Sequence, residues 1–473
     1  MAVIHLINPY DGTAMGSMQG VGGRQVPLGL AYIAATLRED GHDVMITDEV
    51  IMQDGLKAVS SKVPDAILLS VYPSSMNRAR SIVKRARSLN PKTLVIAGGA
   101  IAQATTAESY MLDLDADVIV LGEGELSAPK LIKEPKSRWS AIDGIMYRDK
   151  DKVRKNPPAN LIDDLDTIPF PAIDLLDMSR YTGPTEQGFY ESSGKVTTSI
   201  MTARGCCYRC KFCASGNKLG RKIRYRSPEN VVAEIEHDVN ELGISYFTIN
   251  DDTFTADISR VIRLCDLLIE KGLGDKIIWI VQTRAEVSTL EMFKAMRKAG
   301  CVMVAFGVES GSPKVLDMAN KGLNLDNVRK GVKWAHEAGI RVKTYFIVNL
   351  PGETEEDAQM SIDLAKELDP DYLWLSYFTP LPGTAFFDEL IAQGKITDKQ
   401  LESQTFFTDN RDADVVRRYK RFIRAFYLRP GFFLRVLKRL SVSELTYMAR
   451  MGVTFMKIQM PSAFSKGSKD PNA

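Results

Sequence analysis

Four of the six cysteines in this chain lie within one short segment, at Cys206, Cys207, Cys210 and Cys213. The spacing Cys206-x3-Cys210-x2-Cys213 places three thiols on a single loop. A cubane [4Fe–4S] cluster has four irons, and each iron needs a ligand from outside the cluster. Three cysteines therefore hold three irons and leave the fourth able to take an added chelator, as a catalytic zinc keeps one position open. The pattern predicts a redox-active iron–sulfur cluster with one open iron.

A structural zinc site and a set of buried, reduced thiols are the alternative interpretations of this segment. Zinc sites usually repeat a Cys-x2-Cys pair at a distance, whereas no second pair or Cys/His partner follows here. Cys207 breaks the regular spacing, so we interpret it as a packed thiol and not as a ligand. Cys265 and Cys301 fall in helical patterns or beside a strand, where packing in the core is expected.

The composition and charge of the chain are typical of a folded protein without a nucleic-acid partner. Hydrophobic residues make up 45%, charged residues 25%, and the net charge is +2, which gives no strong field to attract nucleic acid. The N-terminal run Met1–Pro9 lacks the features of a signal peptide, and no segment reaches the roughly 18 apolar residues of a spanning helix. We therefore expect a cytoplasmic protein, in which grouped cysteines indicate metal binding or catalysis.

The first 135 residues alternate short β-rich runs with amphipathic segments. This alternation predicts a doubly wound, Rossmann-like parallel sheet. The predicted strands are Val3–Asn8, Val44–Asp48, Ala66–Tyr72, Thr93–Ala97 and Val118–Leu121, and the predicted helices include Leu28–Asp40 and Ser75–Leu89. Such sheets bind ligands beyond the carboxyl ends of their strands. The candidate ligand contacts at those ends are Asn8, Ser70, Tyr72, Gly98, Gly99, Gly122, Glu123 and Gly124.

Regular patterns weaken in residues 136–195, which contain Pro157-Pro158 and Pro169-Phe170-Pro171. We interpret this stretch as a linker with a small hairpin around Gly144–Val153. Residues 196–385 then repeat a strand–helix unit six times, which predicts a partial (β/α)6 barrel of the TIM type with its chemistry at the C-terminal rim. The predicted barrel strands are Thr197–Ala203, Tyr246–Asn250, Ile277–Thr283, Met303–Val308, Val342–Val348 and Tyr372–Tyr377. A helical, basic region over 386–460 and a disordered tail over 461–473 complete the predicted organisation.

The motif Cys206-x3-Cys210-x-Phe212-Cys213 resembles the signature of the radical S-adenosylmethionine superfamily, including the aromatic residue before the last cysteine. The resemblance implies that the open iron chelates the amino and carboxylate groups of S-adenosylmethionine. An electron from the cluster would then cleave the sulfonium and release a 5′-deoxyadenosyl radical. It also implies that Phe212 packs near the adenine and the cluster. A low-potential donor such as flavodoxin or ferredoxin would supply the electron.

Five further positions at the ends of barrel strands are candidates for binding S-adenosylmethionine. Two adjacent acids, Asp251 and Asp252, are costly at a rim unless they meet cations or donors, and the resemblance implies that they receive the amino group. Arg284 is suited to meet a carboxylate. The resemblance further implies that Glu309 binds the ribose hydroxyls and that Asn349 lies in an adenine-contacting loop. A helix cap for the acids and a surface ion pair for Arg284 are the alternatives.

The N-terminal domain, together with the linker motif Asp164–Pro171, resembles the cobalamin-binding domain of class B radical enzymes. That group contains the anaerobic magnesium-protoporphyrin ester cyclases and many cobalamin-dependent C-methyltransferases. Glycines at strand ends let the backbone approach a bulky ligand closely. The Asp-x-His-x-x-Gly run that supplies an axial histidine in other cobalamin proteins is absent, so the resemblance implies that Tyr72 or water faces the lower side of the cobalt. A nucleotide-binding or purely structural domain is the alternative.

The segment 415–440 contains nine Lys/Arg and no acid, interleaved with aromatic residues. A basic amphipathic helix of this kind can lie on an anionic membrane surface, which would place the protein at the inner face of the membrane and favour a lipid substrate. In the alternative interpretation, its apolar face packs on the barrel and its charges face water.

Together these features predict a cobalamin-dependent radical enzyme, and specifically a C-methyltransferase acting on an unactivated carbon of a small-molecule or lipid-like substrate. One S-adenosylmethionine would methylate the cobalamin, and a second would give the radical that abstracts hydrogen from the substrate. The substrate radical would then take the methyl group from methylcobalamin. A cyclase, oxidase or rearrangement enzyme with the same cofactors is the first alternative, and a non-catalytic corrinoid- or metal-binding protein is the second.

Overall fold

The computed structural model describes residues 1–11, 25–51, 53–103, 107–150, 152–182, 195–218, 220–397 and 412–432. Two sheets organise these residues, one in each half of the chain. Within the described residues, no helix is both long enough and apolar enough to span a bilayer. The fold thus consists of two sheet-centred units, whose strand ends carry the candidate site residues.

The N-terminal sheet has seven strands in the order β2-β1-β3-β4-β5-β6-β7. Its strands are β1 (Val3–Asn8), β2 (Asp43–Asp48), β3 (Ala66–Ser70), β4 (Leu94–Gly98), β5 (Val118–Val120), β6 (Ile145–Asp149) and β7 (Lys152–Lys155). The helices between them are α1 (Leu28–Glu39), α2 (Gly55–Ser61), α3 (Met76–Leu89), α4 (Ala107–Leu114) and α5 (Gly124–Lys133). The first five strands are parallel, which confirms the predicted doubly wound sheet.

The hairpin predicted inside the linker forms, but it belongs to the N-terminal sheet. Strand β6 pairs antiparallel with β5, and β7 pairs antiparallel with β6. Antiparallel strands can be joined by a short connection, as β6 and β7 are, whereas the chain runs from β5 to β6 through α5. The sheet therefore continues beyond the predicted boundary at residue 135, and the other domain limits stay predictions.

The second sheet has six parallel strands in the order β15-β14-β13-β12-β11-β8. Its strands are β8 (Val196–Ile200), β11 (Ile244–Ile249), β12 (Ile278–Thr283), β13 (Cys301–Glu309), β14 (Arg341–Val348) and β15 (Tyr372–Tyr377), and a separate antiparallel pair is formed by β9 (Ala203–Arg204) and β10 (Arg224–Tyr225). The helices are α6 (Ser215–Lys218), α7 (Pro228–Leu242), α8 (Ile258–Glu270), α9 (Leu290–Lys298), α10 (Pro313–Met318), α11 (Leu325–Glu337), α12 (Glu355–Leu368) and α13 (Ala385–Ala392). Six strands in sequential order confirm the predicted partial barrel.

Local sequence signals fix the ends of the barrel helices, as α7 shows. The hydroxyl of Ser227 accepts the amide of Asn230, and Pro228 occupies the first helical position, where its missing N–H costs nothing. The helix ends at Gly243, whose φ of 65° lies in the left-handed region that glycine adopts without strain. The chain can then return directly into β11.

The helix α14 (Ala413–Tyr427) covers part of the predicted basic segment. Its apolar side is buried, with Phe422 against Phe346 and with Tyr419 stacked on Tyr377. Arg418 pairs with Glu355 at the start of α12. The described part of the segment thus packs on the barrel, as the alternative interpretation expects, while residues 433–440 and the tail 461–473 lie outside the described residues.

Candidate active site at the barrel rim

The three predicted cluster ligands lie on the loop that follows β9 at the rim of the barrel. Backbone hydrogen bonds fix both ends of this loop, because the Cys206 amide donates to the carbonyl of Gly220 at 3.1 Å and the Lys211 amide donates to that of Ala319 at 2.9 Å. Gly205 precedes the first cysteine with a φ of 103°, a conformation that favours glycine. The loop is therefore held in place by backbone contacts from two other parts of the barrel.

The thiols on this loop are accessible but not fully exposed. Cys206, Cys210 and Cys213 are half-buried, whereas Cys207 is exposed. The Cys206 Sγ lies 3.8 Å from the Thr253 hydroxyl. Burial raises the pKa of both Cys206 and Cys210, so these thiols keep their protons near neutral pH and release them when they bind a metal. Cys207 faces solvent, and its exclusion as a ligand stays a prediction.

The three thiols on the loop are the type of donor that iron–sulfur clusters require. In the described part of the chain, no three Cys, His, Asp or Glu side chains surround a common point at the spacing of one ion. A cubane presents its irons at separate corners, so its thiolate ligands stand farther apart than the ligands of one zinc ion. Cys265 and Cys301 are buried in the core, and burial raises the pKa of Cys265 to about 12.

Asp251, which we predicted to bind the amino group, has both carboxylate oxygens directed into the protein. It is buried and accepts the amides of Thr202 at 2.7 Å and Ala203 at 3.0 Å, together with the Thr202 hydroxyl. Burial raises its pKa. The carboxylate therefore fixes the segment between the first barrel strand and the cysteine loop. Asp252 is half-buried, and its contact with the cofactor stays a prediction.

The predicted ribose ligand Glu309 has a backbone conformation that few glutamates adopt. Its φ is 69°, and such strain in a non-glycine residue is often found at functional sites. The carboxylate accepts a hydrogen bond from Lys321 Nζ at 3.0 Å, and this ammonium group lies 5.7 Å from the centroid of the Phe212 ring. Sequence reasoning missed Lys321, since the neighbouring residues form no motif around it.

Arg284 is buried beside the cysteine loop, and its guanidinium has several partners. It pairs with Glu286 and donates to the Lys321 carbonyl at 2.8 Å. It also lies over the Tyr208 ring at 3.7 Å and within 3.9 Å of the Cys210 Sγ. Arg284 therefore forms an ion pair, as the alternative interpretation expects, but the pair is not at the surface. It is buried next to a predicted cluster ligand.

Asn349 follows β14, in a loop that is held by a buried carboxylate. Its φ is 66°, and its amide donates to Glu353 Oε2 at 2.5 Å. Burial raises the pKa of Glu353 to about 7, while the Asn349 amide opposes that shift. Arg418 of α14 reaches the same carboxylate at 3.9 Å. Neither Glu353 nor Arg418 was among the predicted site residues, because the contact joins segments that are far apart in sequence.

The glycines at the strand ends of the N-terminal sheet serve two different purposes. A Cβ on Gly122 would meet none of the described atoms within 4 Å, and one on Gly98 would reach only the Val120 carbonyl at 4.0 Å. These two positions leave open space where a bulky ligand is expected. Gly99 instead has a φ of 86°, and its Cβ would lie 3.1 Å from the backbone of Val71. This glycine is required by the close approach of two strand ends.

The polar residues predicted at the same edge are also divided in role. Tyr72 has 54% of its side chain exposed, as a residue facing a ligand requires. Asn8 donates to Asp48 at 2.9 Å, and Glu123 accepts hydrogen bonds from two arginines of the barrel. Their side chains thus stabilise the fold, and contacts of Asn8, Ser70, Gly124 and the Glu123 backbone with cobalamin stay predictions.

Two family models match the two halves of the chain. The Radical SAM superfamily matches residues 200–365, and the B12 binding domain matches residues 18–132. Since the cysteine loop and the open strand ends lie within these matches, the class of protein is a radical S-adenosylmethionine enzyme with a cobalamin-binding domain.

Similar proteins define the family more narrowly. An uncharacterized methyltransferase of Pyrococcus horikoshii is 32% identical over 92% of this chain and 95% of its own length. The anaerobic magnesium-protoporphyrin IX monomethyl ester cyclase of Cereibacter sphaeroides is 30% identical over 80% of this chain and 62% of its own length. The structure of the radical S-adenosylmethionine methyltransferase TsrM from Kitasatospora setae, with cobalamin and a [4Fe-4S] cluster bound, shares the fold at a TM-score of 0.67 and 20% identity, over 84% of this chain and 75% of that one.

The chain belongs to the family of cobalamin-dependent radical S-adenosylmethionine methyltransferases. Its cofactors are a [4Fe–4S] cluster, S-adenosylmethionine and cobalamin, which confirms all three predictions. A small-molecule substrate is consistent with this family.

Proposed function

We propose that this enzyme methylates an unactivated carbon of a small-molecule or lipid-like substrate. The cofactors supply the radical and the methyl group, while the protein positions them and excludes water. The proposal rests on one observation, which is that the two candidate sites adjoin. Arg204, two residues before Cys206, donates to Glu123 beside the open space at Gly122. A substrate held between these sites would be within reach of both cofactors.

Two aromatic side chains at one edge of the barrel sheet favour a substrate with an apolar part. Trp374 on β15 is 41% exposed, and Tyr345 on β14 is half-buried. The buried Lys343 is a polar group at the same place, with its Nζ 4.9 Å from the centroid of the Tyr345 ring and 5.1 Å from that of the Trp374 ring. Aromatic and aliphatic side chains with few polar groups are the usual lining of a ligand pocket.

The proposal is tested with anaerobically reconstituted holoenzyme, dithionite and S-adenosylmethionine that carries a trideuterated methyl group. The enzyme is incubated with a metabolite extract, and the products are analysed by mass spectrometry. Methyl transfer gives S-adenosylhomocysteine, 5′-deoxyadenosine and a metabolite that carries the deuterium label. Formation of 5′-deoxyadenosine with an altered but unlabelled metabolite would instead establish cyclisation or oxidation.

Peripheral membrane contact is a separate part of the proposal, and it now depends on the outward side of α14. Arg417, Lys420 and Arg424 are exposed there, while the apolar side is buried against the barrel. We infer that these side chains make an electrostatic contact with anionic lipid. We also propose that the protein is located in the cytoplasm and that flavodoxin or ferredoxin reduces its iron–sulfur cluster. Flotation with phosphatidylglycerol vesicles tests the contact, and protein that stays at the bottom of the gradient at low salt overturns it.

A further inference from the structure

A buried group of four charged side chains joins the N-terminal domain to the barrel. We call it the cross-domain cluster, and its members are Glu123, Glu125, Arg204 and Arg224. Arg204 donates to Glu123 at 2.8 Å and to Glu125 at 2.6 Å, and Arg224 donates to Glu123 at 2.9 Å. Each of the four side chains is less than one-tenth exposed. The two carboxylates balance the two guanidinium groups, so the cluster carries no net charge into the interior.

The linker between the two domains is part of the same arrangement. The Ile162 amide donates to Glu123 Oε2 at 2.7 Å, and the Ile162 carbonyl accepts from Arg224 at 2.5 Å. Arg204 also lies over the ring of Tyr32 on α1, at 5.3 Å from its centroid. The cluster therefore joins three parts of the chain: the N-terminal sheet with its helices, the linker and the β9–β10 pair.

The members of the cluster stand immediately next to the candidate cofactor contacts. Glu123 lies between Gly122 and Gly124 at the end of β5, and Arg204 is separated from Cys206 only by Gly205. Arg204 and Arg224 are directly opposite each other in the β9–β10 pair. A displacement of the β9–β10 pair would therefore be transmitted through Gly205 to Cys206, the first predicted ligand of the iron–sulfur cluster.

The electrostatics of Glu123 show that the pairing is strong enough to offset burial. Burial would raise the pKa of Glu123, but the hydrogen bonds from Arg224 and Arg204 outweigh it and hold the pKa below its usual value. Buried ion pairs contribute little net stability compared with apolar packing, because desolvation offsets the attraction. Their directional hydrogen bonds do restrict geometry. A role in alignment therefore explains this cluster better than a role in stability.

We propose that the cross-domain cluster fixes the separation between the cysteine loop and the cobalamin-binding strand ends, with Glu123 as the central positioning residue. This inference rests on the proposed function, in which both cofactors act on one bound substrate. Transfer between two cofactors requires their reactive atoms to be held close and aligned. The cross-domain cluster provides this alignment through its arginines. In this role the Glu123 carboxylate does not contact either cofactor.

The test compares Glu123→Gln with Glu49→Gln as a matched control. Glu49 is also buried and paired with an arginine, Arg78, at 2.6 Å, but this pair lies wholly within the N-terminal domain. Two readouts are used, and neither requires the substrate. Hydrogen exchange in the full-length apoprotein reports on peptides that cover residues 160–163 and 200–206. Pulsed electron paramagnetic resonance in the holoenzyme gives the distance distribution between the reduced cluster and cob(II)alamin.

We expect E123Q to keep its iron and cobalamin content, to exchange at least tenfold faster in both peptides, and to give a broader distance distribution. E49Q should match the wild type in both readouts. Wild-type behaviour of E123Q, or an equal change in E49Q, would overturn the inference. If E123Q does not fold, Glu125→Gln removes the charge of only one of the two carboxylates that pair with Arg204 and should show the same changes to a smaller degree; wild-type behaviour of E125Q would then overturn it. If the wild-type protein takes up no cobalamin, the proposed function is refuted instead. Hydrogen exchange in the apoprotein then still tests whether the cross-domain cluster holds the two domains in place.

Discussion

The two candidate cofactor sites are built by opposite means. In the barrel, the site consists of side chains held in defined positions, such as Glu309 bonded to Lys321 and Arg284 bonded to Glu286. In the N-terminal domain, the open positions at Gly98 and Gly122 are defined by backbone and by the space around it. Removing atoms should therefore damage the barrel site, whereas adding atoms should damage the other. Substitutions of both kinds can test this difference.

The largest effect is expected from the cysteines of the barrel loop. Substitution of Cys206, Cys210 or Cys213 by serine removes a thiolate that iron requires, and we expect a loss of at least tenfold in cluster iron and in 5′-deoxyadenosine formation. Iron and sulfide analysis, together with the visible absorbance of the reconstituted protein, measures the first quantity. The exposed Cys207 is the control, and C207S should retain its cluster.

Equal loss of iron in C207S would show that the exposed thiol is also required and that the assignment of only three ligands is wrong. Retention of the iron–sulfur cluster in C206S would also contradict the view that the barrel site is formed by side chains. Either result would remove the contrast between the barrel and the N-terminal domain.

The next effect concerns added atoms in the N-terminal domain. A valine at Gly122 extends into open space, so we expect cobalamin affinity to fall at least tenfold while the thermal midpoint of the apoprotein is unchanged. The same change at Gly99 meets the Val71 backbone and a φ of 86°, so G99V should lower the free energy of unfolding by about 2 kcal/mol. Equilibrium titration with cobalamin and thermal unfolding separate the two outcomes. Unchanged affinity in G122V would place the corrin elsewhere.

The same contrast explains what could be predicted from sequence. Short-range patterns carry the strand–helix alternation, so the two parallel sheets are confirmed. The cysteine spacing is also a short-range pattern, and the cluster ligands that it indicates stay a prediction. The contacts of Lys321 with Glu309 and of Arg204 with Glu123 join distant segments, and no local pattern encodes them. Glu123 was predicted as a ligand contact because it follows a strand end, although its carboxylate is directed to the barrel. Position at a rim is visible in sequence, but the direction of a side chain depends on its tertiary partners.

The smallest expected effect tests whether the barrel site is held by side chains beyond its rim. Burial raises the pKa of Glu353 from 4.5 to about 7, so between these values the folded protein holds a proton that the unfolded chain has released. The stability from this group is therefore present below about pH 4.5 and is lost as the pH rises through 7. Glutamine keeps the acceptor for the Asn349 amide and carries no charge, so E353Q should exceed the wild type by about 1 kcal/mol in free energy of unfolding at pH 5 and equal it at pH 4. Denaturant unfolding at both pH values measures this difference. An equal difference at both values would mean that Glu353 acts through packing, and the loop at Asn349 would then resemble the backbone-defined site of the N-terminal domain.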